Sequence, residues 1–122
     1  MRAITVKMPD AHLIAEAIKT VETRQWATKY RGPLLICAGK QVSDRIVYVP
    51  DGVMVTPYRH EDLGHAICTI DLLNCTAMAE EHEAAALVRC RPGLFAWTLG
   101  NVRKVEPFPV VGKLGFFEVD YD

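Results

Sequence analysis

The sequence lacks several features that would have settled its class at once. None of its apolar runs approaches the roughly eighteen residues that a membrane-spanning helix needs. Met1-Arg2-Ala3-Ile4 leads directly into a strand pattern instead of a secretory signal, so a cytoplasmic protein is expected. The four cysteines, Cys37, Cys68, Cys75 and Cys90, form no CxxC pair, and three of them sit in apolar strand or helix patterns, as reduced structural thiols do. No internal repeat, low-complexity tract or Gly/Ser-rich linker divides the 122 residues, which are read as one domain, 1–122. Overall positive charge is also missing. The net charge is −1, which excludes a broadly basic non-specific nucleic-acid binder and leaves room only for a local basic site.

That local site is where charge is unevenly spread. Residues 19–45 carry Lys19, Arg24, Lys29, Arg31, Lys40 and Arg45 against Glu22 and Asp44, whereas residues 51–83 carry seven carboxylates against Arg59. Aromatic residues are scarce, at 8% of the chain, so Trp26 and Tyr30 falling inside the basic stretch is informative. A surface shaped only by solubility intersperses both signs.

The pattern of elements is mostly β. Ala3–Lys7 alternates as a strand, and Pro9-Asp10 then opens a short helix whose Leu13, Ile14, Ala17 and Ile18 recur at core-facing spacing. From Thr20 the period becomes two, with Thr20, Glu22, Arg24 and Trp26 on one face and Val21, Thr23 and Gln25 on the other. Tyr30-Arg31-Gly32-Pro33 reads as a turn and Leu34–Ala38 as a strand buried on both faces. Ile46–Val49 and Val53–Val55 around Pro50-Asp51-Gly52 predict a hairpin. His65–Leu73 is a further strand, Glu80–Val88 a short helix with acidic residues at its start, and Leu94–Leu99, Val102–Glu106 and Phe116–Val119 the closing strands. Short strands, two short helices and no βαβ rhythm predict a small, mainly β (α+β) fold built as an antiparallel β-barrel.

Two motif blocks carry a resemblance. Lys19-Thr20-Val21-Glu22-Thr23-Arg24 with Trp26, Thr28 and Tyr30-Arg31-Gly32, followed by a buried strand ending Ala38-Gly39-Lys40, forms the first. Trp97, Asn101-Val102-Arg103, Pro107-Phe108-Pro109-Val110 and Gly112-Lys113-Leu114-Gly115-Phe116-Phe117 form the second. Together they resemble the ASCH domain, a small barrel related to the PUA domains of RNA-modifying proteins. The resemblance implies a cleft along the KTVETR strand that takes RNA, single-stranded nucleic acid or a nucleoside; some relatives are amidohydrolases of N4-acetylcytidine, and nuclease activity is attributed to others. The amidohydrolase pattern is a lysine, a threonine three residues later and a distal glutamate. Lys19 matches it, the threonine position is Glu22, and Glu80, Glu81 and Glu83 are the alternatives for the distal carboxylate. The family often has glycine two positions before the motif lysine, where this chain has Ala17. Either the helix ends without a left-handed residue, or Ala17 takes that conformation at a cost of about 1 kcal/mol.

The chemistry of these residue types points the same way. In a partly buried Lys19–Glu22 pair, burial favours the neutral forms and mutual attraction the charged ones, so such a pair is suited to proton transfer with its direction open. Arg24 and Arg31 offer planar forks for phosphate, Lys40 and Lys113 add point charge, and Trp26 and Tyr30 offer faces on which a base can stack. The expected ligand set is therefore Lys19, Glu22, Arg24, Trp26, Tyr30, Arg31, Lys40 and Lys113, with Lys19 and Glu22 as candidate catalytic residues. No cofactor is implied. A metal site from His65, Cys68, Cys75 and His82 is set aside, because residues three apart on a strand face opposite ways. Cys90, between two arginines, lacks the signature of a nucleophile. The sequence does not specify an oligomeric state.

Overall fold

The computed structural model describes residues 1–43 and 58–121, together with the backbone of 47–49 and 52–54. Strand β1 spans Arg2–Met8, helix α1 Asp10–Ala15, β2 Val21–Arg24, β3 Gly32–Val42, β4 Val47–Val49 and β5 Gly52–Met54. After a 3₁₀ turn at His60–Asp62 come β6 at His65–Ala77, a second 3₁₀ turn at Glu80–His82 continuing into α2 at Glu83–Ala86, β7 at Phe95–Pro109 and β8 at Phe117–Glu118. Among the described residues no helix is long and apolar enough to cross a membrane.

Six strands form one mixed sheet in the order β2-β7-β6-β3-β1-β8. The expected antiparallel barrel differs from this in two respects. First, β1 and β3 pair in parallel, with Ile4 opposite Ile36 and Thr5 opposite Cys37, because α1 and β2 carry the chain over before β3 begins. Second, the ladder stays open. Its two end strands, β2 and β8, are four and two residues long and each pairs with a single neighbour. The predicted hairpin is present as β4 and β5, with Val49 opposite Gly52; Ile46, Pro50, Asp51 and Val55 lie outside the described residues. The two predicted strands at Leu94–Leu99 and Val102–Glu106 are one continuous strand, β7, whose pairing with β6 shifts register three times.

Periodicity explains the core. Ile4, Val6 and Met8 of β1 alternate inward and meet Leu34, Ile36 and Ala38 of β3, Ile70 and Leu72 of β6 and Trp97 of β7. The other face of β1 and β3 contributes Ala3, Leu35 and Cys37 to a second cluster closed by Phe117. Leu13 and Ile14 of α1 are fully buried, as their spacing requires. Ala17 and Ile18 are not core residues: α1 stops at Ala15, and Ala17 turns away from the core with φ +58°. The chain therefore accepts a non-glycine residue in the left-handed region at this exit, costing about 1 kcal/mol. Val21 is buried against Met78, Ala86, Leu94 and Ala96, so β2 is covered on its far face by the α2 region.

Candidate functional site

The site grows from the short strand β2. It ladders onto β7, with Glu22 opposite Trp97 and Arg24 opposite Phe95, and this fixes the direction of both side chains. Lys19 lies just before the strand and is 0% exposed. Its Nζ donates to the carbonyl of Ala86 at the end of α2 and stands 3.8 Å from Glu22 Oε1. Glu22 is itself 8% exposed. Its Oε1 accepts from the Thr23 N–H at 3.1 Å, and its Oε2 accepts from Arg24 Nη2 at 3.0 Å. The same Nη2 donates to the Thr5 carbonyl at 2.8 Å, tying β2 to β1 across the sheet's open side. A buried carboxylate held between a lysine and an arginine is a rigid acceptor, since each charge loses its water only by gaining a charged partner.

Glu22 and Arg24 border a cavity of about 790 Å³, a volume within the roughly 300–1,000 Å³ usual for small-molecule sites. Thr5, Val6 and Lys7 of β1, Asp10 of α1, Glu22–Arg24 of β2, Cys37–Gln41 of β3 and the segment 110–115 between β7 and β8 line it. Four cations, Lys7, Arg24, Lys40 and Lys113, face two carboxylates, Asp10 and Glu22, so the lining carries a net charge of +2. Thr5 and Cys37 are paired across β1 and β3 and form part of the wall. Burial pushes the Cys37 thiol up to about 11, and it enters the cavity as an uncharged, weakly polar group. Two buried polar atoms at this wall, Thr5 Oγ1 and Arg24 Nε, have no hydrogen-bond partner among the described residues. Gly112 packs over the first of them: a Cβ at this position would stand 2.8 Å from Thr5 Oγ1, so only glycine permits the close approach.

The predicted residues separate into two groups. Glu22, Arg24, Lys40 and Lys113 line the cavity. Lys19 does not; it sits wholly inside, between Ala86 and Glu22. Trp26 and Tyr30 are elsewhere again. β2 ends at Arg24, so the predicted alternation does not extend to Trp26. Trp26 packs edge-on against Trp97 at 4.7 Å and Phe116 at 5.2 Å, and the Trp97 indole N–H donates to its carbonyl at 3.3 Å. The Tyr30 ring is faced by the Arg2 guanidinium at 4.1 Å, and its hydroxyl donates to the Pro33 carbonyl. Arg31 is exposed and folds back on the carbonyls of Thr28 and Tyr30. Neither Glu80, Glu81 nor Glu83 borders the cavity; Glu83 Oε2 accepts from the Cys90 N–H at 2.6 Å and closes the loop after α2. Among the described residues no group of three or more His, Cys, Asp and Glu side chains is placed to hold a metal ion.

Thr5, Lys7, Asp10 and Cys37 were not singled out as site residues from the sequence, and of the 110–115 segment only Lys113 was. Thr5 and Lys7 did carry a signal, as two polar residues alternating with the apolar Ile4, Val6 and Met8 of the strand. Cys37 carried none, since a thiol in an apolar run reads as core.

Comparison with known proteins agrees with this architecture. The chain is similar to a ZmASCH mutant protein from Zymomonas mobilis known from a crystal structure, with a TM-score of 0.66 over 97% of this chain and 88% of that one. Sequence identity is 12%, so the likeness is one of fold. No curated protein matches the chain. The family model described as ASCH domain matches residues 4–109, from β1 through the end of β7. On that match the chain belongs to the ASCH domain family.

Proposed function

We propose that the protein binds a nucleoside, a nucleotide or the end of a single-stranded RNA in the cavity beside β2. The observation that carries this reading is the Glu22–Arg24 pair, fixed at 3.0 Å in the wall of a nucleotide-sized space with a net positive lining. A carboxylate that accepts from a base N–H, beside a guanidinium that donates to a carbonyl or phosphate oxygen, is a set suited to reading one base edge. Lys7, Lys40 and Lys113 supply the charge that a phosphate requires. Membership of the ASCH family, whose fold is related to RNA-associated domains, supports the same ligand class.

Lys19 serves this reading as a positioning residue. With no exposed surface and its ammonium engaged by Ala86, it orients Glu22 and does not meet a ligand in this conformation. Titration calorimetry with cytidine, uridine and adenosine monophosphates and with a short oligoribonucleotide, at low and high salt, tests the proposal. Binding that weakens with salt and is lost in the Glu22→Gln, Arg24→Ala variant is expected. Absence of heat for every ligand at low salt would overturn it. Incubation with N4-acetylcytidine, followed by chromatography, separates binding from turnover: release of cytidine would assign Glu22 a catalytic part.

A further inference from the structure

The segment that roofs the cavity is built differently from the walls. It is anchored at both ends. The Val110 N–H donates to the Gly64 carbonyl at 2.9 Å, and Phe116 is wedged among Trp26, Trp97 and Tyr30. Between these anchors, residues 111–115 show no hydrogen bond among the described residues. Their two large apolar side chains do not hold them down either: Val111 is 85% and Leu114 100% exposed, although both border the cavity. Gly112 and Gly115 give the segment its freedom, Gly115 already standing at φ +66°. What the segment covers includes an unsatisfied polar atom, since Gly112 lies over Thr5 Oγ1, which has no partner among the described residues.

We infer that residues 111–115 form a gate over the Thr5 wall of the cavity, shut against Thr5 in this structure and opening about Gly112 and Gly115. The shut state leaves the buried Thr5 hydroxyl unpaired, which is costly, and wins little in return because its apolar side chains stay in water. Opening lets water reach the Thr5 hydroxyl. A ligand that enters supplies polar partners in water's place, and on closure Val111 and Leu114 cover its flat apolar face. Only this last step rests on the ligand reading above. The opening itself is a property of the chain alone.

Cys37 reports the motion, because it lines the cavity and packs beside Val110, whereas Cys68 lies in the main core away from the gate. Native protein is treated with iodoacetamide at about pH 8.5, where an opened thiol regains ordinary reactivity, and each cysteine is followed by peptide mass spectrometry. If local opening exposes Cys37, it is alkylated about tenfold or more faster than Cys68, which waits for global unfolding. Gly112→Ala places a methyl against Thr5 and speeds Cys37 further, with Cys68 unchanged. Thr5→Val, which keeps the shape and removes the unpaired hydroxyl, slows it; this variant decides the matter if Gly112→Ala does not fold. Equal rates for Cys37 and Cys68 in the wild type, or no response of Cys37 to Thr5→Val, would overturn the gate. Cytidine monophosphate at saturating concentration is expected to protect Cys37. A gate that opens but gives no such protection overturns the nucleotide reading and leaves the gate standing.

Discussion

On one side of Arg24 the chain builds a saturated cluster. Trp26, Trp97, Phe116 and Tyr30 meet edge to face at 4.7–5.7 Å, and the buried indole N–H of Trp97 finds a carbonyl. On the other side, Glu22 and Arg24 are fixed with equal firmness, yet they face a cavity and leave Arg24 Nε unpaired. Both regions draw residues from the same basic stretch, and both are tied by direct contacts. They differ in whether contact is complete. The first has used up its chemistry in holding the sheet; the second leaves a donor without a partner beside the cavity, and the proposed ligand site rests on that difference.

The largest break in this contrast comes from the saturated side. Trp97→Ala removes a side chain 1% exposed and is expected to cost about 3–5 kcal/mol, read as a fall in the urea midpoint. A loss below about 1 kcal/mol would show that the cluster is not the anchor of β7. Next is Lys19→Met, which keeps the stem and removes the ammonium. The Ala86 carbonyl and Glu22 each lose a partner, and a loss of about 1–3 kcal/mol is expected by the same measurement. No loss would mean that Lys19 is held there for chemistry and not for structure. Arg24→Lys sharpens the comparison on the open side. It preserves the charge but not the planar fork, so cytidine monophosphate should bind about tenfold more weakly, or ~1.4 kcal/mol, with little change in unfolding. Unchanged affinity in calorimetry would reduce Arg24 to a point charge. The smallest effect is a gain. Ala17→Gly at φ +58° should stabilise the fold by up to about 1 kcal/mol, and a loss would show that the exit of α1 is held by packing.

Much of this fold was legible because its strands obey period two on a buried sheet. Leu34–Ala38 announced itself as a central strand, and α1 began where Pro9-Asp10 placed it. What was not legible depends on distant partners. Nothing in Ala3–Lys7 shows that β1 will run parallel to β3, and nothing in Trp26 shows that Trp97 and Phe116 will claim its ring before a ligand can. Ala17 and Ile18 fit the helical spacing, but the helix ends first, and periodicity does not report where the chain must turn to start β2. Of the residues that line the cavity, the basic stretch gave Glu22, Arg24 and Lys40, and the closing motif block gave Lys113. Lys19 was found for its charge and turned out to be walled in. Thr5, Cys37 and Gly112 draw their meaning from being brought together, which no local pattern encodes.

The placement of the sheet's two end strands has a temporal consequence. Val21 must pair with Thr98, and Ala3 with Phe117, so residues made early wait for partners made last. On a ribosome the β2 half of the cavity therefore stays unformed until β7 has emerged. Such high contact order predicts folding on a scale of roughly milliseconds to seconds, slow beside a helical bundle of similar length. The β2 wall of the cavity is thus completed only with a late long-range pairing of the chain.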